Sequence, residues 1–334
     1  MTHNDTRLAA LEAWLSDRLR GEGFGIAPAS ADASFRRYFR VTLPGRTLIA
    51  MDAPPPQEDC RPFVHVARLL RGVGINAPAV VEEDLERGFL LLSDLGTVTY
   101  LAALDAASAP RLYGEAIAAM IRMQAAAPAA GLPAYDEALL RRELALYPDW
   151  YIARHKGIAW TDAERAAWDR SCALIVANNL AQPALFVHRD YHSRNLMVCP
   201  ENPGVLDFQD AVRGPVTYDL VSLLKDAYIS WDEEFILDQA VRYWEGARRA
   251  GIPVAADFSD FYRDFEWMGV QRQLKVLGIF ARLFHRDGKS AYLADMPRVA
   301  AGLRAACERY RELQPLAALV NAAEDVVVRT GYSF

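Results

Sequence analysis

An α+β chain in two parts is what the sequence predicts. From Phe24 to about Gly96 short apolar runs alternate with turn signals, and beyond that nearly every segment repeats its apolar residues at helical spacing. Three very short apolar runs crowded around residues 185–206 interrupt the helical part. The expected division is a small antiparallel β lobe with one helix at 1–95 and a large, mainly α-helical lobe at 96–334. A length of 334 residues suits two units better than one core.

Leu8, Leu11, Leu15 and Leu19 recur among charges at helical spacing, which predicts an amphipathic first helix rather than a signal segment. Tyr38 to Leu43 and Thr47 to Met51 flank Pro44-Gly45 and read as a hairpin. Arg61 to Arg71 places Phe63, Val66, Ala67 and Leu70 on one helix face, with Gly72 as the expected C-cap. Val80-Val81 and Phe89 to Leu92 are two further strands, joined by an acidic turn containing Glu82, Glu83, Asp84 and Glu86. Ser93-Asp94-Leu95-Gly96 then breaks the pattern. Helices are expected at 110–126, 136–155, 163–180, 217–229, 233–250, 258–285 and 289–312, with Gly251-Ile252-Pro253 and Arg286-Asp287-Gly288 as turns.

Leu185-Phe186-Val187 leads as a buried strand into His188-Arg189-Asp190-Tyr191-His192-Ser193-Arg194-Asn195. Leu196-Met197-Val198 and Val205-Leu206 follow as strands, and Asp207-Phe208 closes the run. An Asp to accept a hydroxyl proton, an Asn five residues later and a downstream Asp for Mg²⁺ are the parts that phosphoryl transfer from ATP requires. Asp190, Asn195 and Asp207 are therefore the candidate catalytic residues, with Asn195 and Asp207 as metal ligands on adjacent strand ends. His188 is expected to brace the loop. His192, Arg194, Asp210 and Arg213 are candidate substrate contacts.

The runs VHRDYHSRNLMV and GVLDFQDAVRGPVTYDLVSLLKD resemble the aminoglycoside phosphotransferase and choline kinase-like branch of the protein-kinase-like fold. SFRRYFRV at 34–41, LIAMDAPPP at 48–56 and QRQLKVLGIFARL at 271–283 resemble, within that branch, the bacterial anomeric sugar kinases of cell-wall recycling. The resemblance implies a bilobal kinase fold, Mg-ATP, and an anomeric hydroxyl of N-acetylmuramate or N-acetylglucosamine as acceptor. It further implies a hinge at Leu92, Ser93, Asp94 and Leu95 that meets the adenine edge, and an Asp219 that accepts hydrogen bonds from the catalytic-loop backbone. Another small-molecule kinase of this fold, for an aminoglycoside, choline or homoserine, and an inactive nucleotide-binding module stay open as alternatives.

The lysine that kinases carry on their third strand is missing, because the chain's lysines are Lys156, Lys225, Lys275 and Lys289, and the matching strand ends in Met51-Asp52. Nor does the helix at 61–71 contain a Glu. Arginines are the available substitute. Ser34, Phe35, Arg36 and Arg37 are expected in the turn between the first strands, over the nucleotide, where guanidinium groups grip phosphate oxygens bidentately. A carboxylate on the acceptor would want a cation too, for which Arg154, Arg213, Arg272 and Lys275 are available. Trp150 and Tyr151 are candidates to stack on a sugar ring, although aromatic residues at helical spacing are more often core.

A formal charge of −6 without a basic stripe argues against a nucleic-acid partner. Cys60, Cys172, Cys199 and Cys307 form no C-x-x-C pair, so neither a zinc site nor a redox motif is expected, and a reducing cytoplasm suits them. No apolar run approaches the ~18 residues of a membrane span, so a soluble cytoplasmic protein without a membrane partner is expected.

Overall fold

The computed structural model describes residues 5–31 and 35–326. The chain divides into two compact units, Met1–Ala103 with Asn195–Asp210, and Leu104–Arg194 with Ala211–Phe334. This differs from a simple cut at 95/96, and the reason is backbone pairing. Val198 N–H donates to Val98 O and Val205 N–H to Asn76 O, each at 2.8 Å. Those bonds tie the segment after the catalytic loop to the first hundred residues.

In the first unit, α1 (Thr6–Arg18) starts at Asp5, whose carboxylate caps Leu8 N–H. Strands β1 (Gly25–Ala31), β2 (Arg37–Leu43), β3 (Arg46–Asp52), β4 (Val80–Asp84) and β5 (Phe89–Ser93) form an antiparallel sheet in the order β1-β2-β3-β5-β4. Period-two alternation turns Phe39, Val41, Leu43, Ala50, Phe89 and Leu91 to one face, where Leu11, Trp14, Leu15 and Leu19 of α1 cover them. Helix α2 (Arg61–Gly72) buries Phe63, Val64, Val66, Ala67 and Leu70. The turn expected at Gly72 comes at Gly74, the residue with positive φ. Glu82, Glu83 and Asp84 belong to β4 rather than to a turn. A short helix α3 (Tyr100–Ala103) follows.

The hairpin of β7 (Leu196–Met197) and β8 (Gly204–Val205) completes this unit. Gly204 is required there, since a Cβ would lie 2.7 Å from Cys199 Sγ and 3.1 Å from Met197 Cβ.

The second unit contains α4 (Ala109–Ala126), α5 (Glu137–Leu144), α6 (Asp162–Ala181), α7 (Tyr218–Leu224), α8 (Glu233–Arg249), α9 (Phe258–Asp287), α10 (Met296–Arg309) and α11 (Gln314–Ala323). Strands β6 (Ala184–Val187) and β9 (Val212–Pro215) pair antiparallel beside them. The helix expected at 136–155 is broken: α5 ends at Leu144, and Tyr147–Lys156 forms a wider π-helical turn with Pro148 at its start. The helix expected at 289–312 is likewise divided, into a 3₁₀ turn at Ser290–Asp295, α10 with Pro297 in its first turn, and a second 3₁₀ turn at Arg311–Leu313. α7 ends at Leu224, before the expected 229, and Asp226 caps Tyr228 N–H instead of continuing the helix.

α9 is the axis of this unit, flanked by α5, α6, α7, α8, α10 and the π-helical turn. It buries residues all the way round from Phe265 to Leu274, as an interior helix must. Close packing depends on Gly278, where a Cβ would lie 2.5 Å from the backbone carbon of Leu146. We expect Gly278→Ala to cost about 1–3 kcal/mol through overpacking against an unyielding backbone, read as a lowered midpoint in urea unfolding.

Candidate active site

β6 delivers the chain into the catalytic loop, and buried acids hold that loop. Asp219, at the start of α7 and fully buried, accepts the backbone N–H of His188 at 2.7 Å and of Arg189 at 3.0 Å. Asp226, just past α7, accepts Ser193 N–H at 2.9 Å. Between these anchors Arg189 adopts φ 79°, sparsely populated for a side-chain-bearing residue. The buried His188 ring accepts Asp190 N–H on Nδ1 at 3.3 Å and packs edge-on to Tyr191. Burial and the adjacent Asp190 push the Asp219 carboxyl up to about 7 against the lowering effect of its two N–H donors.

Asp190 is ringed by charge. Burial raises its pKa, but Lys275, His192, Arg272 and Arg189 outweigh this and hold the carboxyl below its ordinary value. Lys275 Nζ lies 2.9 Å from Glu143 and 3.0 Å from the Tyr218 hydroxyl. Glu143, on α5, also receives Arg189 at 2.7 Å and the Tyr135 hydroxyl. Arg272 Nη2 approaches Asp190 Oδ1 to 3.9 Å. One turn of α9 thus supplies two cations, three residues apart, to the base side of this unit. His192 lies edge-on to Tyr228, and Arg194 stacks its guanidinium 3.6 Å from the centre of the same ring. Burial lowers the His192 pKa in spite of Asp226 and Asp190, which favours a neutral ring.

In the first unit, the ends of the β7–β8 hairpin bring Asn195 and Asp207 together. Leu206 N–H donates to Asn195 O at 2.9 Å, and Asn195 Nδ2 donates to Asp207 Oδ2 at 3.1 Å. Asp207 sits at φ 65°, and its Oδ1 accepts Gln209 Nε2 at 2.8 Å. The donors offered are oxygens, the type a hard divalent cation takes, and phosphate and water oxygens would complete the shell in the manner Mg²⁺ favours. Among the described residues no cluster of three or more His, Cys, Asp and Glu could hold a metal by itself.

The arginines have different surroundings. Arg37 lies on β2, on the α1 face of the sheet, and its guanidinium is shared by Asp5 and the fully buried Asp52. Arg7 of α1 donates to the same Asp52 at 2.9 Å. Arg40 points to the opposite face, where it meets Asp94 at 2.6 Å. Arg36, in the turn before β2, lies 3.6 Å from Glu58, whose carboxylate also receives Phe35 N–H. Ser34 lies outside the described residues. At the expected hinge, Ser93 Oγ accepts Ala79 N–H, Asp94 accepts Gly96 N–H, Leu95 O accepts Cys199 Sγ, and Leu92 is buried in β5. Asp210 and Arg213 are exposed, on the loop before β9 and on β9 itself. Tyr151 is core, stacked on Tyr147, and Trp150 carries Arg154 over its ring.

Glu143, Asp226 and Tyr228 were not legible as site residues. Glu143 sits in a charged helical run and Asp226 in a helix-like one, and only folding turns them toward the loop.

Comparison with known proteins agrees with this arrangement. Residues 25–256, more than half of the chain, match the family model described as the phosphotransferase enzyme family. The chain is similar to the N-acetylmuramate/N-acetylglucosamine kinase of Pseudomonas aeruginosa, 53% identical over 95% of this chain and 97% of that protein. It is 49% identical to the protein of that name from Pseudomonas putida, over 96% and 97% of the two chains. Choline kinase LicA from Streptococcus pneumoniae has the same fold, with a TM-score of 0.63 at 13% identity over 90% of this chain and all of that one. No helix among the described residues is long and apolar enough to cross a membrane. By its sequence match and its fold, the chain belongs to the phosphotransferase enzyme family.

Proposed function

We propose that the protein is an ATP-dependent kinase that phosphorylates the anomeric hydroxyl of N-acetylmuramate and N-acetylglucosamine, yielding the sugar 1-phosphate. The observation that carries this reading is the 53% identity, over nearly the full length of both chains, to a relative named for those two sugars. The chemistry suits one carboxylate base, since an anomeric hydroxyl is more acidic than an ordinary alcohol.

Asp190 orients the acceptor hydroxyl and accepts its proton as the phosphoryl group transfers. Its depressed pKa keeps it ionised at neutral pH. Asn195 and Asp207 would hold Mg²⁺, which would supply positive charge to offset that developing on the phosphate. Asp219 and Asp226 hold the loop segment that carries Asp190. His192 and Arg194, with Asp210 and Arg213 farther along the chain, are the acceptor-side groups of this reading. The backbone of Leu92 to Leu95 meets the adenine. Ser34, Phe35, Arg36 and Arg37 lie over the phosphates, with Arg36 the group that grips them: it has one carboxylate, Glu58, at 3.6 Å, whereas the Arg37 guanidinium is shared by two.

Incubation with Mg-ATP and either sugar should give a glycosyl 1-phosphate signal in ³¹P NMR, and phosphate on an ordinary alcohol, or none on any acceptor, would overturn the reading. Asp190→Asn should lower kcat roughly 100- to 10,000-fold with little change in the KM for ATP. Arg36→Ala should raise the KM for ATP or lower kcat by at least about tenfold, and unchanged ATP kinetics would remove Arg36 from the phosphates. Because the base must be deprotonated and its pKa lies below the ordinary 3.8, kcat at saturating Mg-ATP should show no acid limb from Asp190 between neutrality and about pH 5. A limb near pH 6 that shifts in Asp190→Glu would contradict this.

A further inference from the structure

N-acetylmuramate differs from N-acetylglucosamine by a lactyl ether at C3, whose carboxylate is its only charge. We propose that Arg272 of α9 receives that carboxylate and thereby sets the preference between acidic and neutral acceptors. The inference rests on the sugar-kinase reading.

Of the four cations available to such a group, the fold sets three aside. Arg154 is exposed and lies over Trp150, and Arg213 is exposed on β9. Lys275 is buried but already satisfied by Glu143 and the Tyr218 hydroxyl. Arg272 is different. It is 5% exposed, yet its nearest carboxylate oxygen, on Asp190, is 3.9 Å from Nη2, outside hydrogen-bond length. Its buried Nε has no acceptor among the described residues. A guanidinium with five donors is costly to bury without acceptors, and native structures rarely leave one so. A carboxylate carried by the acceptor would supply Nε with a partner.

The position suits the acceptor's carboxylate. With the C1 hydroxyl on Asp190, the C3 substituent two ring carbons away would come within reach of Arg272, which already borders Asp190. The other charges nearby do not compete. Burial lowers the His192 pKa, and Arg194 is exposed and stacked on Tyr228. A planar guanidinium can take both carboxylate oxygens, which an ammonium cannot.

The test compares N-acetylmuramate, its methyl ester and N-acetylglucosamine as acceptors for the wild type, Arg272→Met and Arg272→Lys. In the wild type, masking the carboxylate as the ester should lower kcat/KM roughly 10- to 100-fold, the range of a charge-assisted pair. In Arg272→Met the acid-to-ester ratio should collapse to about one, whatever factor the three acceptors lose in common, and Arg272→Lys should retain part of it. A wild type that uses both sugars but does not distinguish acid from ester overturns the inference while leaving the kinase reading intact. So does an Arg272→Met enzyme that is slower on all three with its ratio preserved, since Arg272 would then act on Asp190 alone. A wild type that phosphorylates neither sugar overturns the kinase reading and this inference with it. Should the Met variant fail to fold, the acid-to-ester ratio of Arg272→Lys decides: a ratio equal to that of the wild type overturns the inference, and a reduced one supports it.

Discussion

Backbone N–H groups at both ends of the catalytic loop terminate on buried carboxylates, Asp219 at His188 and Arg189 and Asp226 at Ser193. The loop side chains of the second unit take their positions from those bonds. A peptide segment with φ 79° at Arg189 would relax if released, and the anchors make the uncommon conformation the stable one. Burying the acids is costly, and the N–H donors offset the cost, so the arrangement is stable only as a whole. Removing one acid would leave donors unpaired, and removing the donors would leave a charge unpaired.

The same logic extends outward through Glu143. It is a buried acid whose pKa burial would raise, but Lys275 and Arg189 hold it lowered. Two cations, one acid and two tyrosine hydroxyls form a cluster with one cation in excess beside the base. Lys275 and Arg272 share a face of α9 but not a circumstance. One is fully committed to this cluster, and the other borders Asp190 with donors to spare. That contrast between two neighbours on one face of α9 underlies the proposed recognition role of Arg272.

In the first unit the usual polarity of the third strand is reversed. Asp52, at the end of β3, is an acid buried against two arginines, one from α1 and one from β2. Strand parity explains the separate fates of the arginines. Arg37 shares the α1 face with Phe39 and Val41, and Arg40 lies on the other face with Asp94. Arg36, one residue before the strand, is bound by neither rule. It remains the phosphate-gripping residue of the proposed mechanism.

The sequence by itself determined the two classes of structure, most strand and helix positions, and the loop with Asp190, Asn195 and Asp207, because these depend on local periodicity and spacing. The pairing of Asn195 with Asp207 was legible for the same reason: two short strands and a turn bring their ends together. Pro148 and Pro297 broke two long helical patterns where hydrophobic spacing alone ran on. Which charges meet depends instead on packing between distant segments. Glu143 lies 46 residues from Arg189 along the chain, Asp226 lies 33 from Ser193, and Asp52 lies 45 from Arg7. Electrostatic partners at such separations leave no periodic trace, because a charged residue on an amphipathic helix reads as solvated until packing buries it.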